Sequence, residues 1–293
     1  MEPAHRLGRV QGHHRRQRLS PRTHTVGVFD SGVGGLSVLR ALLAELPQTR
    51  FVYVADRAYA PYGERPAEDI VERSQRIVAQ LREAYPLDAM VVACNTATAH
   101  AIDALRHTHH DLPFVGVEPA LKPAAAQSLT RHIGVMATRG TLESERYRKL
   151  QARLGHGSPA HRPHFVNQPC NGLADAIERG DAVQVRKLCQ KYVSALHDQV
   201  PEGARIDTLV LGCTHYPFAA DVLQQLCGPD VQLVETGAPV ARRTREVLHA
   251  HPPRGQQDAR PGVELLTTRD PVAVAEVAHR WLGREVPARL CSY

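Results

Sequence analysis

Short apolar runs closed by small residues alternate along this chain with longer stretches in which apolar positions recur every three or four residues. Thr25–Phe29, Phe51–Ala55, Met90–Ala93, Phe114–Val117, Ile133–Ala137, Leu209–Leu211, Val231–Glu235 and Val263–Thr268 read as strands. Helical spacing appears between them. In Leu36–Leu46 the residues Leu36, Leu39, Leu42, Leu43 and Leu46 are in step, and in Ala67–Ala84 Ile70, Ile77, Val78 and Leu81 share a face. Further helices are predicted over Ala97–Arg106, Leu142–Leu154, Gly172–Arg179, Ala182–Gln199, Phe218–Leu226, Ala238–Ala250 and Pro271–Leu282. Residues 155–168 and 251–262 read as loops, and Glu118-Pro119 interrupts the pattern. Strands too apolar to alternate, each followed by a helix, predict an α/β fold of mainly parallel sheets with helices on both faces.

The order occurs twice. Val26-Gly-Val-Phe-Asp-Ser-Gly-Val-Gly-Gly-Leu-Ser37 is echoed by Ile133-Gly-Val-Met-Ala-Thr-Arg-Gly-Thr-Leu-Glu-Ser144, each a strand, a small polar turn and a helix. Asp88-Ala-Met-Val-Val-Ala-Cys-Asn-Thr-Ala97 is echoed by Asp207-Thr-Leu-Val-Leu-Gly-Cys-Thr-His-Tyr216. Ligands of open α/β sheets bind beyond the carboxyl ends of the strands. Cys94 and Cys213 both fall at such an end, so a duplicated architecture would bring two thiols to one site. Each also precedes helix-like sequence, a setting that lowers a thiol pKa from its usual value of about 8.5.

Composition narrows the function. A chain of 293 residues is long enough for two domains. Of its net charge of +6, all but about one sits in residues 1–24, where six arginines face Glu2 alone. The remainder is nearly neutral and gives no reason to expect a DNA or RNA groove. The arm itself reads as a disordered, solvated tail or the product of an upstream start, with a transit peptide the lesser alternative. Six scattered cysteines without a close pair fit a reducing cytoplasm better than a disulfide framework. No run approaches the roughly 18 apolar residues of a membrane helix.

The chemistry left open is that of thiols. Cys170, Cys189, Cys227 and Cys291 fit simple packing, because free cysteine is among the most buried residue types. Cys94 and Cys213 do not, since polar Asn-Thr and Thr-His follow them. Zinc needs about four ligands, and Cys213 with His215 supplies two at most, so no metal is expected. A Cys-His hydrolase would leave the second cysteine unexplained. Two thiols flanking one carbon suit the removal of a proton from one face and its return to the other. The lysines, Lys122, Lys149, Lys187 and Lys191, lack a strand-end setting for a pyridoxal Schiff base, so cofactor-free chemistry is favoured. The turn Asp30–Gly35 is neither a P-loop nor a dinucleotide fingerprint. Its amides can hold an anion, or its glycines can merely permit a tight turn.

From about Thr25 to Leu282 the chain resembles bacterial glutamate racemases, within the cofactor-independent aspartate/glutamate racemase family. The resemblance rests on Gly27-Val-Phe-Asp-Ser-Gly-Val-Gly-Gly35, Ala60-Pro-Tyr-Gly63, Val92-Ala-Cys-Asn-Thr-Ala97, Gly134-Val-Met-Ala-Thr138 and Leu211-Gly-Cys-Thr-His-Tyr-Pro217. It implies two similar doubly wound α/β domains, 25–115 plus 231–293 and 116–230, with the active site in the cleft between them. It implies racemisation of glutamate, without cofactor or metal, in the cytoplasm, for peptidoglycan synthesis. Cys94 and Cys213 match the two catalytic acid/bases, and Asp30 and His215 their assisting groups. Ser31, Pro61, Tyr62, Gly63, Asn95, Thr96 and Thr214, with Asp30 and His215, match positions that grip the substrate. Glu178, in Ala-Ile-Glu-Arg-Gly180, matches a further acidic site residue more loosely. No nucleic-acid or membrane partner is implied, and a homodimer is compatible with this reading. Aspartate racemase, a non-catalytic amino-acid binder and a nucleic-acid role for the basic arm are the alternatives.

Overall fold

The structure is a computed structural model and describes residues 23–155, 162–253 and 260–293. Of the N-terminal tail expected over residues 1–24, residues 1–22 lie outside the described residues. Two parallel sheets carry the fold. The first is built from β1 (Thr25–Asp30), β2 (Arg50–Ala55), β3 (Ala89–Val92), β4 (Phe114–Gly116), β9 (Gly262–Thr267) and β10 (Ala288–Leu290), in the order β10-β9-β2-β1-β3-β4. The second is built from β5 (His132–Ala137), β6 (His164–Pro169), β7 (Thr208–Leu211) and β8 (Gln232–Val234), in the order β6-β5-β7-β8.

Helices cover both faces of each sheet because successive side chains of a strand point to opposite sides. On the first sheet, Val26, Val28, Phe51 and Tyr53 pack under α1 (Leu36–Glu45), α10 (Gly237–His249) and α11 (Pro271–Leu282). Phe29, Val52 and Val54 face α2 (Ala67–Ala84) and α3 (Asn95–Thr108). On the second, Met136, Leu209 and Leu211 pack against α7 (Leu173–Glu178), α8 (Ala182–Asp198) and α9 (Ala220–Cys227). Ile133, Val135 and Val210 meet α4 (Leu121–Gln127) and α6 (Glu145–Leu154) on the other side. A short α5 (Arg139–Glu143) precedes α6.

Several expectations are corrected. The helix expected over Leu142–Leu154 is two helices, because Ser144 is extended (φ −67°, ψ 146°) and its hydroxyl caps α6 by accepting from Tyr147 N at 3.1 Å. The loop expected over 155–168 contains β6, an edge strand only partly buried, whose polar sequence hides it. Gln232–Val234, expected with the first domain, pairs instead with β7, so the crossover back to the first sheet starts with α10. No helix among the described residues is long and apolar enough to cross a membrane.

What this topology does is place two switch points face to face. β1 pairs with β2 on one side and β3 on the other, so the chain leaves β1 and β3 in opposite directions across the sheet. β5 stands in the same relation to β6 and β7. A crevice opens at each such reversal. Asp30 closes β1 and Ser31 opens the turn after it, Cys94 lies in the turn after β3, and Thr138 and Cys213 lie in the turns after β5 and β7.

Candidate active site

Cys94 occupies the N-cap of α3, where its sulfur accepts from Ala97 N at 3.5 Å. Its thiol donates to Ser31 Oγ at 3.6 Å, and Ser31 Oγ donates to Asp30 Oδ1 at 3.5 Å. Asp30 closes β1, is fully buried, and accepts Gly35 N at 2.6 Å on its other oxygen. Burial pushes the Asp30 carboxyl up to about 6, against the opposing pull of His215 and the Gly35 amide. Burial and then the Asp30 charge push the Cys94 thiol well above the usual range. The expected lowering by the helix N-terminus is therefore overturned at Cys94, because its enclosure outweighs one helix end.

Cys213 is set differently. The chain after β7 enters a 3-10 turn, Tyr216–Ala219, with Pro217 inside it, so this cysteine does not cap an α-helix as expected. Its sulfur lies 3.9 Å from His215 Nδ1, and His215 Nε2 lies 2.7 Å from Glu178 Oε2. Glu178 Oε2 also accepts Val33 N at 2.9 Å, while Oε1 accepts Arg57 Nε at 2.6 Å. Burial opposes a charge on His215, but hydrogen bonds to Cys213 and Glu178 outweigh it and raise its pKa well above the ordinary value. Burial likewise pushes Glu178 up, yet His215, the Val33 amide and Arg57 together hold its carboxyl below the usual range.

The glycine-rich turn now has a use that its spacing left open. A Cβ at Gly32 would sit 2.3 Å from Glu178 Oε2, and one at Gly34 would sit 2.3 Å from His215 Nδ1. The anion at its amides is thus a side chain of the protein itself, from α7, and the missing side chains make room for the Glu178–His215 pair. Ser37 Oγ donates to Thr214 O at 2.9 Å, tying α1 to the turn that carries Cys213.

Cys94 and Cys213 line one cavity of about 650 Å³, counting its open mouth. Ser31, Pro61, Tyr62, Gly63, Asn95, Thr96, Glu178, Thr214 and His215 line it too; Asp30 sits behind Ser31. Asn95 is buried, yet neither its Oδ1 nor its Nδ2 has a hydrogen-bond partner among the described residues. Buried polar groups are normally paired, so such an amide is fitted to a polar ligand. Tyr62, expected to grip substrate, spends its hydroxyl on Asp56 Oδ2 at 2.6 Å, which itself accepts Arg73 Nε at 2.8 Å. Among the described residues no group of three or more His, Cys, Asp or Glu is arranged to hold a metal ion.

A profile of the Asp/Glu/hydantoin racemase family matches residues 27–244. The chain belongs to this family. It is an isomerase of the amino-acid racemase class. A glutamate racemase of Herpetosiphon aurantiacus is 44% identical over 254 residues, covering 86% of this chain and 95% of the relative. One of Methylococcus capsulatus is 44% identical over 273 residues, covering 90% and 96%. Among solved structures, a Bacillus anthracis glutamate racemase superposes with a TM-score of 0.78 at 29% identity, over 92% of this chain and 97% of that one. The Escherichia coli glutamate racemase gives a TM-score of 0.76 at 33% identity, over 91% and 97%. These likenesses carry the α/β class with two mainly parallel sheets.

Several cavity residues of this family member escaped the sequence reading. Thr138 Oγ1 lies 3.0 Å from Thr96 Oγ1, joining the two switch points, and it occupies the place of Ser31 in the internal repeat. That signal was available. Cys170, read as packing, is buried in the core beneath α7 and also lines the cavity, as do Arg139, Asn171 and Asp175. Cys170 and Asn171 lie on the turn after β6, Asp175 on α7 behind it and Arg139 at the start of α5, and β6 itself was unseen.

Proposed function

We propose that the protein interconverts L- and D-glutamate by moving the α-proton between Cys94 and Cys213. The observation that carries this reading is that a thiol from each half of the repeat opens on one cavity, each joined to its own proton-handling group. One thiolate takes the α-proton from one face, leaving a carbanion beside the substrate carboxylate. The opposite thiol then gives its proton to the other face, and the stereocentre is inverted. As arranged here Cys94 is the acid, since its enclosure and Asp30 favour the protonated thiol. Cys213, 3.9 Å from His215 Nδ1, has a proton-handling partner of its own and takes the part of the base. In the reverse direction the roles exchange.

Stabilising the carbanion calls for oriented donors in a water-poor site. The unpartnered Asn95 amide, with Thr96, Thr214 and Ser31 around it, supports that role for this wall of the cavity. Glutamate as substrate is supported by the names of the relatives and by the Escherichia coli structure, which is a complex with L-glutamate. Such an activity would supply D-glutamate to cell-wall peptidoglycan from the cytoplasm.

Incubating the protein in D₂O with L-glutamate, and separately with L-aspartate, tests both chemistry and substrate. Loss of optical rotation with deuterium at the α-carbon is expected for glutamate. Each of Cys94→Ser and Cys213→Ser should lower kcat by about 10²–10⁴-fold, the usual worth of a positioned acid or base. Near-normal racemisation by either variant would refute the two-thiol reading, and faster exchange of aspartate would move the assignment to a shorter substrate.

A further inference from the structure

We propose that Arg57 is a positioning residue of this site, clamping the Glu178 carboxylate from the first-sheet side so that the His215 imidazole is held against Cys213. The proposal rests on the two-thiol reading above. Arg57 is the second residue past β2, whereas Glu178 ends α7 beside the second sheet, so their 2.6 Å bond crosses the cleft between the sheets. Arg57 does not line the cavity. It therefore acts through Glu178 and not on the substrate.

The geometry shows what the clamp supplies. Glu178 Oε2 is already shared between Val33 N at 2.9 Å and His215 Nε2 at 2.7 Å. Without Arg57, Oε1 would have none of these anchors and the carboxylate could turn about its own axis, carrying the imidazole with it. Charge matters equally. Side chains of Arg57 and Glu178 are only 15% and 10% exposed. The groups facing this cluster are Asp30 from β1, Tyr53 from β2, Arg57, and Cys213 beside His215. The buried carboxylates Asp30 and Glu178 stand here against the guanidinium of Arg57 and an imidazole, His215, whose proton is favoured by Glu178 and Cys213. Removing the guanidinium leaves two buried anions against one cation, and a buried unmatched carboxylate takes up a proton. A protonated Glu178 no longer holds a charged imidazole. Behind Arg57, Asp270 Oδ2 stands 3.9 Å from Nη1, so a line of alternating charge runs from the half-exposed Asp270 inward to the buried Cys213. Among the described residues no such line reaches Cys94, toward which Asp30, through Ser31, is the one charged group that hydrogen-bonds.

The test uses the full chain carrying Arg57→Gln, Arg57→Lys, Glu178→Gln, and Arg57→Gln with Glu178→Gln. Racemisation of L- and D-glutamate is followed from pH 6 to 10, with Cys94→Ser and Cys213→Ser in parallel. Loss of one charge-assisted hydrogen bond predicts that Arg57→Gln lowers kcat/KM by on the order of ten- to a hundredfold, mostly in kcat. The alkaline limb of kcat/KM should move to higher pH, because the Glu178–His215 pair, without a cation beside it, holds its proton more tightly. Arg57→Lys, a point charge without the planar fork, should restore part of the rate and return the limb. The double variant should lose little beyond Glu178→Gln alone, since both act on one chain of contacts. An unmoved limb in Arg57→Gln, a loss confined to KM, or additive losses in the double variant would overturn the proposal, as would Arg57→Lys no better than Arg57→Gln. Should either cysteine variant racemise normally, the two-thiol reading itself falls. Inactive cysteine variants with an unmoved Arg57→Gln limb would sink the role of Arg57 alone.

Discussion

Exchanging Asp30 for Asn replaces a fully enclosed carboxylate at the end of β1 with a neutral side chain of the same shape. Its amide oxygen can still accept the Gly35 N–H, which Asp30 Oδ2 now takes at 2.6 Å, and its NH₂ can donate to Ser31 Oγ. What disappears is the charge. Burial raises the Asp30 pKa from 3.8 to about 6, so the folded protein holds this proton more tightly than the unfolded chain. For an acid raised in this way, the stabilising contribution is complete below the unfolded value and is lost as pH climbs through the folded value. The whole loss is about 3 kcal/mol, of which about 1.4 kcal/mol falls between pH 5 and pH 8. Asn has no proton to lose. The unfolding free energy of Asp30→Asn, relative to wild type, should therefore improve by about 1.4 kcal/mol from pH 5 to pH 8. Urea unfolding at the two pH values, with m unchanged, measures this directly. Racemisation should fall in the same variant, because Ser31 loses the carboxylate behind it. A difference between variant and wild type that stays constant with pH, or that moves against the variant toward pH 8, would show that Asp30 is not held at a raised pKa.

Gly34→Ala should push the His215 ring aside, since the new Cβ would lie 2.3 Å from Nδ1; misplacement on this scale predicts a drop in kcat of about a hundredfold with the circular dichroism of the fold intact. A near-normal kcat would mean that the ring need not stay where it is. Arg73→Met should leave the Asp56 carboxylate, fully buried and bound by Arg73 through two hydrogen bonds of 2.8 and 2.6 Å, without its cation. The expected loss is about 3–5 kcal/mol in urea unfolding, and a change under about 1 kcal/mol would contradict it.

The parallel α/β architecture was legible because its strands are apolar enough to read as runs and its helices are long enough to show a period. Both thiols were legible because each is followed by polar residues just where a buried strand would otherwise continue. The elements that escaped are those whose stability comes from partners and not from pattern. β6 is an edge strand spelled His-Phe-Val-Asn-Gln-Pro, α4 is about two turns ahead of which Glu118-Pro119 breaks the rhythm, and β10 is three residues long. The site followed the same rule. Cys94, Cys213, Asp30 and His215 stand in recognisable motifs, whereas Glu178 lies in a loosely matching segment and still proves to be the group on which three hydrogen bonds converge. Arg57 carries no local signal, because its meaning depends on a carboxylate 121 positions away. The direction of the Cys94 shift was misjudged since a helix end can be read from sequence and the degree of enclosure cannot.

The two halves of the repeat equip their thiols unequally: a hydroxyl and a carboxylate behind Cys94, an imidazole and a carboxylate behind Cys213. In the proposed reaction the two enantiomers have equal free energy, so the equilibrium constant is unity and kcat/KM must be the same from either side. Whatever divergence the halves have undergone can therefore appear only as matched changes in turnover and saturation, never as a preference for one hand. A lesion beside either sulfur slows both directions alike, and a compound that occupies one face alone halts the traffic through both.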